Sequence, residues 1–207
     1  MARKTKLESQ KTYELIVDTA EQLFSSKGFS QTTLHDIAQH AELSRGAIYW
    51  HFKDKTELLD AILARAHLPW DNLPQQPSEI ATCLSPAELA TFLVRGIETI
   101  IESPRLYRVS LILLHTTELV EENPLVHARL TCTLERIRRY IVAMLSVGNS
   151  AARAATCPRI ERAANLAKTL LTGVVYEALL NPDAVELGPI VGVLEQTLGS
   201  QRPMQAC

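Results

Sequence analysis

The 207-residue sequence lacks a long apolar run: no stretch approaches the roughly 18 consecutive apolar residues that a bilayer-spanning helix needs. Its basic first residues are not followed by the apolar segment of a signal peptide. The cysteines are few and widely spaced, and no Cys-x-x-Cys pair occurs, which argues against both a disulfide framework and a zinc site. These absences predict a soluble cytoplasmic protein with reduced thiols.

The sequence also lacks an excess of either charge. Its 21 Lys and Arg residues nearly balance 23 Asp and Glu residues, which gives a formal net charge of −2. This balance argues against a generally basic nucleic-acid-binding protein. Two small basic groups stand out, one within the first dozen residues and one around residues 45–55, and together they form a weak electrostatic footprint on a neutral body.

Strand signals are missing as well, because no alternation of period two persists beyond a few residues. Apolar residues instead recur at helical spacing, and capping residues and prolines mark helix starts, which predicts an all-α fold. A loop with four prolines between Pro69 and Pro86 divides the chain into predicted domains 1–66 and 67–207. The predicted helices cover about 10–27, 34–41, 45–51, 55–66, 86–101, 104–114, 125–146, 158–180 and 185–198.

A helix-turn-helix pattern lies in the first of these domains. Two short helices are joined by a tight turn at Glu42 and Leu43, and in such a unit the second helix enters the major groove of DNA. Thr33 and Ser44 are predicted N-caps, and Arg45 can donate two hydrogen bonds to a guanine edge. The predicted DNA-binding residues are Thr32, Thr33, Ser44, Arg45, Gly46, Tyr49, Trp50, His51 and Lys55, with a basic arm of Arg3, Lys4 and Lys6.

Two short helices with a tight turn also occur in proteins that never touch DNA. The alternative is therefore a helical small-molecule-binding protein without specific DNA binding. The concentration of hydrogen-bond donors from Ser44 to His51 favours the DNA-binding interpretation. No catalytic, phosphate-binding or metal-binding motif is found, so neither an enzyme nor a cofactor is expected.

The run from Thr32-Thr33-Leu34 through Ser44-Arg45-Gly46-Ala47-Ile48-Tyr49-Trp50-His51-Phe52 to Lys55 resembles the TetR family of bacterial transcriptional regulators. With MARKTK at the start, it is most similar to the AcrR-like branch, whose members repress multidrug efflux pumps. One departure is Glu42, which stands where the family commonly has Gly. A side chain there implies either a costly positive φ or a slightly different turn.

The resemblance implies an N-terminal three-helix helix-turn-helix domain and a larger C-terminal helical domain for ligand binding and dimerisation. It further implies a homodimer on a palindromic double-stranded DNA operator, released by a small-molecule effector. A regulator that senses no small molecule, or that activates, is the nearest rival.

The segment from Ile160 to Leu180 is apolar nearly all round, so both of its faces must be buried. We expect one face to enter the core of the subunit and the other to pair with a second copy, together with the last helix. The alternative is a helix at the centre of a monomeric bundle.

The resemblance also implies an effector pocket within the C-terminal domain, and an apolar pocket with few polar groups would suit aromatic or amphiphilic ligands. Its candidates are polar or aromatic residues embedded in apolar stripes, and two leucines that are either lining or core. They are Trp70, Phe92, Ser110, Leu114, His115, Leu171, Thr172 and Tyr176. His115 and Glu118 share a helical face and could bind a cation or a ligand, although an ordinary surface or core pair is the simpler interpretation.

Overall fold

A computed structural model describes residues 6–74, 76, 83–114, 124–146 and 157–200. Within these ranges the chain is helical and contains no strand, which confirms the predicted all-α fold. The helices are α1 (Lys6–Lys27), α2 (Leu34–His40), α3 (Arg45–His51), α4 (Lys55–Arg65), α5 (Pro86–Glu102), α6 (Pro104–Leu114), α7 (Pro124–Ser146), α8 (Pro158–Leu180) and α9 (Leu187–Gly199), with a 3₁₀ turn at Pro182–Ala184. Among the helices described, none combines the length and apolar character needed to cross a membrane.

The helix starts follow the capping residues expected from the sequence. At α2 the Thr33 hydroxyl accepts a bond from the Asp36 N–H at 3.1 Å, while the Asp36 carboxylate accepts one from the Thr33 N–H at 2.9 Å. This is a capping box, and its hydrogen bonds hold the pKa of Asp36 below its usual value. Ser44 caps α3 through the Ala47 N–H at 3.2 Å, and Ser85 caps α5. Local sequence therefore decides where these helices begin.

The chain divides into two compact units. One comprises Met1–His67 and Pro104–Arg129, and the other comprises Leu68–Ser103 and Leu130–Cys207. Helix α6 and the start of α7 thus group with the helix-turn-helix segment, although α6 begins more than fifty residues after α3 ends. The functional domains 1–66 and 67–207 stay a prediction.

In the first unit, α1 is the central helix, in contact with α2, α4 and α6, and α2 packs on α3. The buried side of α1 carries Ile16, Val17, Ala20 and Phe24. Facing residues from the shorter helices complete the core: Ile37, Ile48, Leu58, Leu59 and Ile62 are all fully buried. Burial of these side chains is the main source of stability for helices as short as α2 and α3.

A charged cluster joins α1, α4 and α6 within this unit. The Glu21 carboxylate on α1 is only 2% exposed, and one oxygen lies 2.8 Å from Arg108 Nη2. Its other oxygen lies 3.3 Å from both Arg65 on α4 and Arg105 on α6. Arg65 also bonds Glu14 and Asp18 on α1. Because a buried carboxylate is costly without partners, Glu21 constrains where α4 and α6 sit on α1.

In the second unit, α5 packs mainly along α9 and also on α8, while α8 and α9 pack on each other. One face of α8 is buried and rich in alanine, including Ala163, Ala164 and Ala167. On its opposite side Leu166 and Leu180 are 59% and 56% exposed in the single chain. The two apolar faces predicted for α8 are thus present, and one of them is uncovered.

We predict that Glu21→Gln lowers the free energy of unfolding by roughly 3 kcal/mol, at the low end for a broken buried ion pair. The loss is moderated because the three arginines are 19–40% exposed and water can rehydrate them. Urea unfolding followed by circular dichroism measures it. The matched control is Glu14→Gln, whose carboxylate is 44% exposed and should cost less than about 1 kcal/mol. Equal losses in the two variants would contradict a central role for Glu21.

Candidate DNA-binding surface

One side of helix α3 is buried, and the other side is exposed to solvent. Ile48 and the C-cap residue Phe52 are buried, whereas Tyr49 and Trp50 are 60% and 72% exposed. Ser44, Arg45 and Gly46, at the start of the helix, are exposed too. Two large aromatic side chains left in water on a seven-residue helix indicate a surface that another molecule covers.

The end of α3 is fixed by an aromatic group from α1. Tyr13 stacks on Phe52 with ring centroids 5.1 Å apart, and the half-buried His51 ring lies 6.0 Å from Tyr13. Trp50 meets His51 edge-on at 4.5 Å. His51 is therefore part of the packing that orients Trp50, as well as a predicted DNA-binding residue.

The turn between α2 and α3 contains a strained residue. Glu42 has φ of 54°, and it is the non-glycine residue with positive φ in the described part of the chain. The Leu43 N–H donates to the Ala38 carbonyl at 2.9 Å and closes the turn. Of the two alternatives for this position, a positive φ or a different turn, the structure has the positive φ, which carries a cost of about 1 kcal/mol that glycine would avoid. The Glu42 side chain is exposed.

Thr32 requires a correction. Its side chain is fully buried, and its hydroxyl donates to the Gly28 carbonyl at 2.8 Å. Its N–H is engaged as well, with the Phe29 carbonyl at 3.2 Å. Thr32 therefore closes the connection between α1 and α2 and does not present its hydroxyl to a phosphate. Thr33 is exposed, although its hydroxyl and N–H both serve the cap of α2.

Lys55 is largely engaged inside the unit. Its Nζ donates to the Phe29 carbonyl at 2.9 Å and lies 3.4 Å from the Ser30 carbonyl, and it sits 4.6 Å above the Phe29 ring. A lysine ammonium has three donors, so one is left for a phosphate. Its first role is to hold the loop after α1, which the sequence did not reveal because the partner lies 26 residues away.

A groove of about 690 Å³ runs between the first turn of α1 and α3. Lys6 and Ser9 line it from α1, and Ser44, Gly46 and Trp50 line it from α3. Lys6, predicted as part of a basic arm, thus lies beside the helix-turn-helix surface. Ser9 was not predicted. Arg3 and Lys4, the rest of that arm, lie outside the described residues.

The predicted ligand-binding residues are distributed over both units. Ser110 and Leu114 lie on α6 in the first unit, the former buried and the latter half-buried. In the second unit, Leu171 is core, and Phe92 packs against the buried Tyr140 with ring centroids 5.7 Å apart. His115 lies outside the described residues, as does Glu118.

Trp70 is buried against α5, and a Cβ atom on Gly96 would lie 2.5 Å from its indole ring. Its indole N–H has no acceptor among the described residues. Thr172 and Tyr176, in contrast, are exposed on α8 and line an open groove of about 930 Å³ with Gly173 and Ile190. The predicted set does not form one site in the described chain, because these two residues face away from the core.

Comparison with known proteins decides the family. Residues 16–62 match the family described as bacterial regulatory proteins, tetR family. The probable HTH-type transcriptional regulator ArpR of Pseudomonas putida is 33% identical over 196 residues, which cover 90% of this chain and 89% of ArpR. The chain belongs to the TetR family.

Two further similarities lie within the same family. The HTH-type transcriptional regulator AcrR of Shigella flexneri is 40% identical over 124 residues, covering 59% of this chain and 57% of AcrR. The solved structure of SmeT, described as the repressor of the Stenotrophomonas maltophilia multidrug efflux pump SmeDEF, is 28% identical with a TM-score of 0.66. It covers 93% of this chain and 91% of SmeT, and SmeT has also been solved as a complex with triclosan.

These similarities confirm the resemblance to TetR-family regulators of the AcrR-like branch. The chain is a helix-turn-helix transcriptional regulator, and α3, as the second helix of that unit, is the predicted recognition helix. The family is one of regulators and not of enzymes. The role of each exposed residue on α3 stays a prediction.

A substitution at Gly46 is expected to change folding stability and DNA affinity in opposite directions, so it distinguishes the two properties. Its added Cβ would meet only Ser44 Oγ, at an ordinary 3.9 Å, so nothing in the described chain requires glycine there. We predict that Gly46→Ala raises stability by up to about 1 kcal/mol, since alanine is the better helix former. DNA affinity should fall about tenfold or more, because the methyl group occupies space that the DNA needs. Urea midpoints and fluorescence anisotropy measure the two effects; unchanged affinity would show that DNA does not approach this backbone.

Proposed function

We propose that the chain is a homodimeric repressor of a multidrug efflux operon, and that small apolar or amphiphilic compounds release it from a palindromic operator. The exposed donor and aromatic face of α3 is the observation that carries this proposal. The description of SmeT as a repressor of a multidrug efflux pump supports the choice of target. We propose neither catalysis nor a cofactor, and the compartment is the cytoplasm, where a regulator meets its operator.

The uncovered face of α8 supports the homodimer. Leu166, Tyr176 and Leu180 are exposed along one side of α8, and Val193 is exposed on α9. Gly173 has open space around it, which lets another helix approach closely. A second copy would cover this surface by a two-fold contact. Two recognition helices would then read major grooves whose centres are about 34–36 Å apart, or a multiple of that distance.

The buried indole of Trp70 supports an effector with a hydrogen-bond acceptor. Its N–H has no acceptor among the described residues, and an unpaired buried donor is a group that a ligand can satisfy. The complex of SmeT with triclosan makes triclosan the first effector to test.

Helix α4 supports a coupling route, because its last turn is held from several sides within the first unit. Arg65 enters the Glu21 cluster, and Arg129 donates to the Ala66 carbonyl at 2.9 Å. A displacement of α6, whose Arg105 and Arg108 also bind Glu21, would disturb the same cluster. If the effector lowers the affinity for DNA by some factor, DNA must lower the affinity for the effector by the same factor. The coupling free energy between two such sites is typically about 1–3 kcal/mol.

The regulatory role is tested with labelled DNA from upstream of the protein's own gene and its neighbours. Fluorescence anisotropy at two salt concentrations should show saturable binding that outcompetes nonspecific DNA, because base contacts survive where phosphate contacts weaken. Triclosan should then release the complex. Weak binding that is equal on every sequence and lost in modest salt would contradict the proposal; specific binding that no apolar compound releases would contradict only its effector part.

The dimer is tested by Leu180→Glu. This residue is exposed in the single chain, so the fold should survive. A carboxylate buried in the dimer contact should break the dimer, and the sedimentation coefficient should fall to that of the monomer. Operator affinity should fall with it, because one half-site contact is lost. The control is Leu15→Glu, which places the same charge on an exposed leucine of α1 and should leave the protein dimeric. A Leu180→Glu protein that stays dimeric would overturn the proposed interface.

A further inference from the structure

Among the described residues, one side-chain hydrogen bond joins the two helices of the helix-turn-helix unit. The Nε–H of Arg45, the first residue of α3, donates to Nδ1 of His35 on α2 at 3.2 Å. Both side chains are exposed, so burial does not force them together. Apart from this bond, the Arg45 side chain has no hydrogen bond or ion pair among the described residues.

This bond determines which edge of the guanidinium faces outward. An arginine can present either the edge with Nε and Nη2 or the edge with Nη1 and Nη2 to a bidentate acceptor. With Nε held by His35, the edge with Nη1 and Nη2 stays available for a base. The long side chain is also partly ordered before DNA arrives, so less rotamer freedom is lost on binding.

We propose that His35 is a positioning residue that sets the orientation of Arg45 for base recognition. The inference rests on the proposed function, because it needs Arg45 to read a base. His35 accepts the bond only as the neutral ring with its proton on Nε2; the imidazolium has no acceptor and repels the guanidinium.

The neighbouring charges do not take over this role. Asp36 follows His35 on α2, but its carboxylate accepts from the Thr33 N–H and hydroxyl and lies 4.0 Å from Lys27 of α1. It is thus committed to the cap of α2. From α3 the charged group at His35 is Arg45 itself. His35 is therefore the acceptor that orients the arginine.

The test compares His35→Ala with His35→Asn. The Asn amide oxygen stands where Nδ1 stands, one bond beyond Cγ, and it accepts a hydrogen bond without titrating. We expect His35→Ala to lower the preference for the operator over a variant with one changed base pair by about three- to tenfold. His35→Asn should retain most of that preference. Because His35 is exposed, neither variant should lose the fold.

A further arm separates positioning from other roles. In an Arg45→Ala background, His35→Ala should have no further effect on base preference, because the side chain that His35 positions is gone. An undiminished effect would show that His35 acts on DNA by itself and would overturn the inference.

The control is His40→Ala, which removes another exposed histidine of α2. Its Nδ1 lies 2.8 Å from the Asp36 carbonyl oxygen and not at Arg45, so base preference should not change. Absence of any operator-specific binding in the unsubstituted protein would refute the proposed function. Specific binding that depends on Arg45 but is insensitive to His35→Ala would refute only the positioning role.

Discussion

A seven-residue helix does not hold together alone in water, because so few hydrogen bonds cannot offset the cost of nucleation. Helix α3 exists because Ile48 and Phe52 are buried and because Ser44 caps its start. The other side of α3 is therefore not needed to hold the helix in place. Tyr49 and Trp50 are exposed on that side, where they are predicted to contact DNA.

The strained turn at Glu42 and the charged cluster around Glu21 both help to position α3, the first directly beside the helix and the second from farther away. Glu42 takes a positive φ so that the chain can reverse between α2 and α3 within a few residues. Farther away, the Glu21 carboxylate holds arginines from α4 and α6 against α1, which also carries Tyr13 at the end of α3. Because an unpaired Glu21 carboxylate would be costly, these helices are expected to pack in defined arrangements and not in a continuous range of positions. This is the property required of an element that a ligand must switch between states.

Much of this architecture was readable in advance because it is local. Thr33, Ser44 and Ser85 cap helices that follow them directly, and the proline at the start of α5 is compatible with the first turn of a helix. An unusual turn at Glu42 was signalled by a side chain where the family commonly has glycine, and the structure decides between the two alternatives in favour of a positive φ. The two apolar faces of α8 were visible in its periodicity, although periodicity does not say which one a partner covers.

The sequence alone determined the helical class, the starts of α2, α3 and α5, and the family, because caps, periodicity and the run around α3 act within a few residues of one another. Tertiary structure alone decided which polar groups are still free to bind anything. The Thr32 hydroxyl donates to the Gly28 carbonyl, the Lys55 ammonium donates to the Phe29 carbonyl, and the Arg45 guanidinium donates to His35. Hydrogen-bond partners are chosen by distance in space, and folding brings together groups whose separation along the chain carries no signal of their meeting.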